Sequence, residues 1–262
     1  AAYAAATLPR GVTTLVWDPH ELGNVHGVAG IDWAAEAAGV LAQRHVLLAP
    51  SCVPSAPGLE LAGADFDADI IAGLLARPEI GGIAEVMDMR AVIEDRPRMN
   101  AILAAGRASG KPIHGHARSL EGADLQAFVT SGISSDHEIV SGEDLLQKLR
   151  AGLTIELRGS HDHLLPECVA ALNTLPQLPQ TLTLCTDDVF PDDLFAAGGL
   201  DDVVRRLVRY GMKPEWALAA ATFNAARRIG RDDLGLIAPG RRADIVLFED
   251  LSAFRARLVL AS

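Results

Sequence analysis

The residues best equipped for chemistry sit at the ends of short apolar runs. "LCTDDVFPDDL" closes such a run with Asp187 and Asp188. "PIHGHARSL" carries His114 and His116, "GISSDHEIVSGED" carries His137 and Glu138, and "GGIAEVMD" carries Glu85. Barrel enzymes place their chemistry at the carboxyl ends of strands. Carboxylates and imidazoles together suit a divalent cation such as manganese, iron or zinc, and disfavour copper. Glu85, His116, His137 and Asp187 are therefore the candidate metal ligands. Two such ions can clamp a substrate and lower the pKa of a bridging water, giving hydroxide near neutral pH. Any one of the four alone would read as an ordinary polar strand end. Their joint occurrence at strand ends carries the metal reading.

Other polar residues divide between function and structure. Alternation along "PIHGHA" points His114 and His116 to one face of the strand. His116 lies nearer the catalytic end, and His114 reads as a hydrogen-bonded interior residue. "WDPHE" ends another strand, so Asp18, His20 and Glu21 could line the mouth of the barrel and contact substrate. A carboxyl group there accepts from N–H, or donates when protonated. The plainer reading is a turn, because Asp-Pro starts turns readily. Glu138 either shuttles protons or faces solvent. Asp188 could orient a ligand, while "PDDL" reads as a helix start with Pro191 in the first turn. Arg158 and Ser160 end a further strand and read as an ion pair or helix cap. Cys52 and Cys185 read as small core residues.

These residues need a scaffold of alternating strands and helices. "TTLVWD", "HVLLAP", "GGIAEVMD", "PIHGHA", "ISSDHE", "LTIELRGS" and "TLTLCTDD" are strand-like. Helical segments separate them. "AGIDWAAEAAGVLAQR" brings Trp33, Ala37, Val40 and Leu41 near one face. "DFDADIIAGLLARPEI" carries acid in its first turn, which suits the positive end of the helix dipole. "SGEDLLQKLRAG" opens on Ser141 as N-cap with Asp144 three residues later, close to a capping box. Near-continuous apolar strands imply a parallel sheet covered on both faces. The expectation is an α/β, TIM-like (β/α)8 barrel over residues 1–232. Seven of its strands are visible and the first is missing, since the chain opens on the helical "AAYAAATLPRG". The tail at 233–262, with its Gly/Pro turn and the strand "ADIVLF", reads as the start of a small β-sandwich.

Bulk properties narrow the class. The 262 residues fit one large α/β domain, and 49% of them are hydrophobic, enough for a sizeable core. The net charge of −11 argues against a nucleic-acid or anionic-membrane partner. Three cysteines with no CxxC pair fit a reducing, cytoplasmic setting better than a disulfide framework. No apolar run is long enough to span a bilayer.

"GVTTLVWDPHE", "PSCVPSAPG", "GGIAEVMD", "GHARSL", "SSDHE", "LCTDDVFPDDL" and "IAPGRRADIVLFEDL" together resemble the adenine deaminases of the amidohydrolase superfamily. The likeness runs through nearly the whole chain in order. It implies hydrolysis of adenine to hypoxanthine and ammonia at a binuclear manganese or iron centre, zinc being a further option. It implies Glu85 as the bridging carboxylate and His116 and His137 as ligands of one metal. Asp187 is implied as ligand of the other metal and as proton acceptor. Glu21 and Glu138 join Asp187 as candidate catalytic groups, and Asp18, His20 and Glu21 are the candidate purine contacts. A homo-oligomer is expected of the full-length form.

One departure stands out. The family's first barrel strand ends in an HxH metal pair, and the HxH at His114 to His116 is no substitute, because it belongs to a later strand. The expectation is a member cut after its first strand and before most of its β-sandwich. Two alternatives stand beside the deaminase: another amidohydrolase acting on a cyclic amide or dipeptide, and a non-catalytic barrel fragment. Relatives of the first kind carry a carboxylated lysine where Glu85 stands. The zinc signature of the unrelated cytidine-type deaminases is absent.

Overall fold

The computed structural model of the chain describes residues 2–262. The chain forms two compact units. One is Thr14–Asp136, and the other joins the residues up to Thr13 with His137–Ser262.

In the first unit, β1 (Thr14–Trp17), β2 (Arg44–Ala49), β3 (Ile80–Val86) and β4 (Ile113–Gly115) form a parallel sheet in that order. β1 and β2 run in register from Thr14 opposite Arg44 to Trp17 opposite Leu47. The short strand β5 (Ser135–Asp136) follows β4, and the Ser134 N–H donates to the Ile113 carbonyl at 3.0 Å. Helices run between the strands, as the parallel connections require. Leu47, Ile80, Ile83 and Val86 from the sheet pack with Ile71, Leu74, Ile102 and Leu103 from two of these helices. Asp67 caps the helix Ala68–Leu75, its carboxylate accepting from the Ile70 N–H at 2.9 Å.

The helix Val28–Gly39 differs from expectation. Its packed face is Gly30, Ile31, Ala34 and Ala38, while Trp33 and Val40 are 59% and 83% exposed. A Cβ on Gly30 would lie 2.3 Å from the Leu22 carbonyl oxygen, so backbone approaches backbone there. Close approach at Gly30 selects a small residue there; Ile31 packs inward, while Trp33 and Val40 are turned outward.

Gly115 shows the same constraint at the end of β4. A Cβ there would meet the Ser135 carbonyl oxygen at 2.3 Å and the Ile133 side chain at 2.5 Å. Gly115→Ala is expected to cost about 1–3 kcal/mol, the usual penalty for overpacking. Thermal unfolding of the variant against wild type measures it.

In the second unit, β6 (Thr154–Arg158) and β7 (Leu182–Cys185) pair in parallel, from Ile155 opposite Leu182 to Arg158 opposite Cys185. The helix Gly142–Arg150 precedes β6, and Leu165–Leu172 connects β6 to β7. Leu145, Ile155, Leu157, Val169, Leu172 and Leu182 are fully or almost fully buried. Ser141 caps the first of these helices, accepting from the Asp144 N–H at 3.1 Å. Asp144 returns the favour one residue upstream of a standard capping box, accepting from the Val140 N–H at 3.0 Å. The tail forms an antiparallel hairpin of β8 (Ile245–Phe248) and β9 (Ala256–Leu260).

Candidate functional site

Every sequence-predicted site residue lies at or just beyond the carboxyl end of a strand. In the first unit these are Asp18, His20 and Glu21 after β1, Glu85 near the end of β3 and His116 after β4. His116 Nδ1 lies 2.9 Å from Glu85 Oε2. His20 Nδ1 lies 2.9 Å from Asp18 Oδ2 and 3.9 Å from Glu85 Oε1. These five residues are therefore a local network with one exposed member, Glu21, whose carboxylate is 3.7 Å from His20 Nε2.

The network is charged in a particular way. Burial, the largest influence, raises the Asp18 carboxyl above its ordinary range. The hydrogen bond to Asp18 raises His20 to about 9. At neutral pH the imidazole is thus a cation whose Nδ1–H donates to Asp18. Asp18 Oδ1 remains buried with no hydrogen-bond partner among the described residues. A buried acceptor without a donor costs free energy.

Backbone contacts fix the strand ends. The Ser51 hydroxyl donates to the Glu85 carbonyl at 2.8 Å. Buried Asp136 accepts from the Ala117 N–H at 2.7 Å, bracing the turn that carries His116. Sequence reasoning passed over Asp136. Its signal was an acid inside a strand beside His137. His114 is buried, in keeping with an interior role.

In the second unit, His137 follows β5 in sequence and Asp187 lies two residues beyond β7. His137 Nε2 is 3.6 Å from Asp187 Oδ2. His137, Glu138 and Asp187 place ligand atoms within 4.8 Å of one another. Glu138 is buried and paired with the Arg158 guanidinium, which also reaches Asp187 Oδ2 at 3.1 Å. Arg158 is thus the ion-pair residue of this end, while Glu138 is turned away from solvent. Asp187 has φ 58, in the left-handed region. Aspartate tolerates that conformation better than most residues, and its Oδ1 accepts from the Asp188 N–H at 2.6 Å. Non-glycine residues held there cluster at functional positions. The helix Pro191–Ala196 begins at Pro191, as "PDDL" implied.

Behind this end lies a clamp that the sequence did not reveal. Lys148 is completely buried, and its Nζ donates to Asp144 Oδ2 at 2.9 Å and to the Glu138 carbonyl at 3.3 Å. With the Val140 N–H also on Asp144, the segment after His137 is tied to the helix Gly142–Arg150.

The model of the "Amidohydrolase family" matches residues 1–260. The chain belongs to the amidohydrolase family. Among curated relatives, it is 75% identical over 262 residues to "Adenine deaminase 2" of Rhizobium meliloti (strain 1021), covering all of this chain and 44% of that protein. It is 54% identical over 257 residues to "Adenine deaminase" of Serratia proteamaculans (strain 568), covering 98% of this chain and 43% of that protein. The chain thus spans less than half the length of these curated relatives. A solved N-acetyl-D-glucosamine-6-phosphate deacetylase from Mycobacterium smegmatis superposes with TM-score 0.65 at 18% identity, over 99% of this chain and 80% of that one. A β-aspartyl dipeptidase from Fervidobacterium islandicum AW-1 superposes with TM-score 0.63 at 17% identity, over 98% and 75% of the two chains. At such identity the likeness speaks for the fold alone, which is TIM-like α/β.

Amidohydrolases are metal-dependent hydrolases, and this family member carries side-chain groups able to hold a metal. The donors fit. Each unit pairs imidazole with carboxylate, the mixture that manganese, iron and zinc accept. Among the described residues, no helix is long and apolar enough to cross a membrane.

Proposed function

We propose that the protein to which this chain belongs is a cytoplasmic adenine deaminase, converting adenine and water to hypoxanthine and ammonia. The observation that carries the reading is 75% identity, over the whole of this chain, to a protein named adenine deaminase. The metal ligands are Glu85, His116, His137 and Asp187, and the metal is a binuclear manganese or iron centre. Bound divalent metal supplies a water acidic enough to furnish hydroxide near neutral pH.

The chain's own residues do the rest. Asp187 accepts the proton of the attacking water as oxygen bonds to C6 of adenine. It then delivers a proton to the amino group as the C6–N bond breaks and ammonia leaves. Arg158, shared between Glu138 and Asp187, keeps both carboxylates in place. Glu138 and Glu21 assist in moving protons. Asp18, His20 and Glu21 recognise the purine: the buried Asp18 Oδ1 accepts from a purine N–H, and charged His20 supplies a donor. The barrel occupies residues 1–232, and β8 and β9 belong to a β-sandwich module from 233 to 262. The partner is a small purine, with no nucleic acid and no membrane surface, and the full-length form is a homo-oligomer.

The test is chromatographic detection of hypoxanthine from adenine with manganese added. Hydrolysis of a cyclic amide or dipeptide with adenine untouched would contradict the reading. A companion prediction concerns Glu85→Gln. A neutral amide is a poor ligand for a dication, so metal affinity should fall by at least about 100-fold, the upper range for removing an outer-shell partner alone. Elemental analysis after dialysis against graded chelator measures it.

A further inference from the structure

Three kinds of metal donor meet in the first unit, where β1 and β2 end. Asp18, His20 and Cys52 place a carboxylate oxygen, an imidazole nitrogen and the thiol within 4.8 Å of one another. Cys52 is 4% exposed, and the carboxylates of Asp18 and Glu85 act on its thiol. Asp18 Oδ1 is buried with no hydrogen-bond partner among the described residues, although its neighbour His20 carries a donor on each ring nitrogen when charged. We propose that Asp18, His20 and Cys52 form a binding site for a thiophilic divalent cation, for which zinc is the type. Its donor set differs from that of the oxygen-and-nitrogen ligands Glu85, His116, His137 and Asp187.

The chemistry favours a soft or borderline ion. Zinc takes thiolate, imidazole and carboxylate together in tetrahedral sites. Manganese and magnesium prefer oxygen donors. In the metal-free chain, burial and then the carboxylates of Asp18 and Glu85 push the Cys52 thiol well above its ordinary pKa. A dication reverses that logic. The same two carboxylates attract it, and a coordinated thiol gives up its proton. One S–H bond breaks, one metal–sulfur bond forms, the proton passes to buffer, and no electron moves. Charged His20 gives up one N–H proton to buffer and exchanges its hydrogen bond to Asp18 for a metal bond, and Asp18 gains a partner for its idle oxygen. The site has a consequence that rests on the function proposed above. A cation there takes up Asp18 and His20, so zinc should inhibit purine turnover.

The experiment is a cobalt(II) titration of the purified protein with excess manganese present. Manganese fills the oxygen-and-nitrogen sites and leaves the thiol. The expected result is a near-ultraviolet thiolate-to-cobalt charge-transfer band that zinc displaces. The band should vanish in Cys52→Ser and persist in Cys185→Ser. Because Cys52 is buried, His20→Gln is the second variant, and there cobalt affinity should fall at least about tenfold, the scale of effect seen even for outer-shell changes. Absence of the band in wild type, its survival in Cys52→Ser, or unchanged affinity in His20→Gln would overturn the site. If the band behaves as expected but zinc leaves adenine turnover untouched, the site stands and the substrate contacts of Asp18 and His20 fall.

Discussion

Asp187→Asn should lower kcat for adenine by at least about 10²–10⁴-fold, the usual worth of a general acid–base group. Loss of a charged metal ligand adds to that figure. The substitution keeps side-chain size and the left-handed backbone at φ 58, which asparagine also tolerates. Its Oδ1 can still accept from the Asp188 N–H. The fold should therefore survive, with an unfolding midpoint near wild type. Ammonia release at matched metal loading separates the two effects. Near-wild-type turnover by the loaded variant would remove Asp187 from the chemistry.

The largest stability effect is expected at Asp144. Its carboxylate accepts from the buried Lys148 ammonium at 2.9 Å. Asp144→Ala takes a charged acceptor away from that ammonium, and it also strips the Val140 N–H of its acceptor. Breaking a buried pair from one side costs about 3–5 kcal/mol. Lys148→Met should cost less, because an apolar chain of similar length replaces the charge. In the double variant the penalties should be markedly less than additive, as coupled neighbours require. Urea unfolding of the four proteins provides the cycle. Additive penalties would show that the two residues act separately.

These cases show what the sequence could reveal and what it could not. The strands were legible because each is a short apolar run ending in polar residues, as in "TLTLCTDD" for β7 and "GGIAEVMD" for β3. The strand-end placement of the candidate site residues was legible for the same reason, since position at a strand end is a local property. Arg158 could be read as an ion-pair residue, but its partners Glu138 and Asp187 lie 20 and 29 positions away, and only the fold names them. Lys148 drew no reading from "SGEDLLQKLRAG". Its burial follows from a tertiary clamp that leaves no periodic trace. Trp33 was misplaced because periodicity finds large apolar residues, whereas close packing at Gly30 demanded small ones.

The central claim is hydrolytic deamination of adenine, and oxygen-labelled water tests it most directly. The protein, loaded with manganese, is incubated with adenine in labelled water, and the products are weighed by mass spectrometry while ammonia is counted. The account predicts hypoxanthine bearing one labelled oxygen, with one ammonia released for each adenine consumed. Recovery of unlabelled adenine alone, from protein that binds metal fully and hydrolyses a dipeptide or cyclic amide, would contradict it.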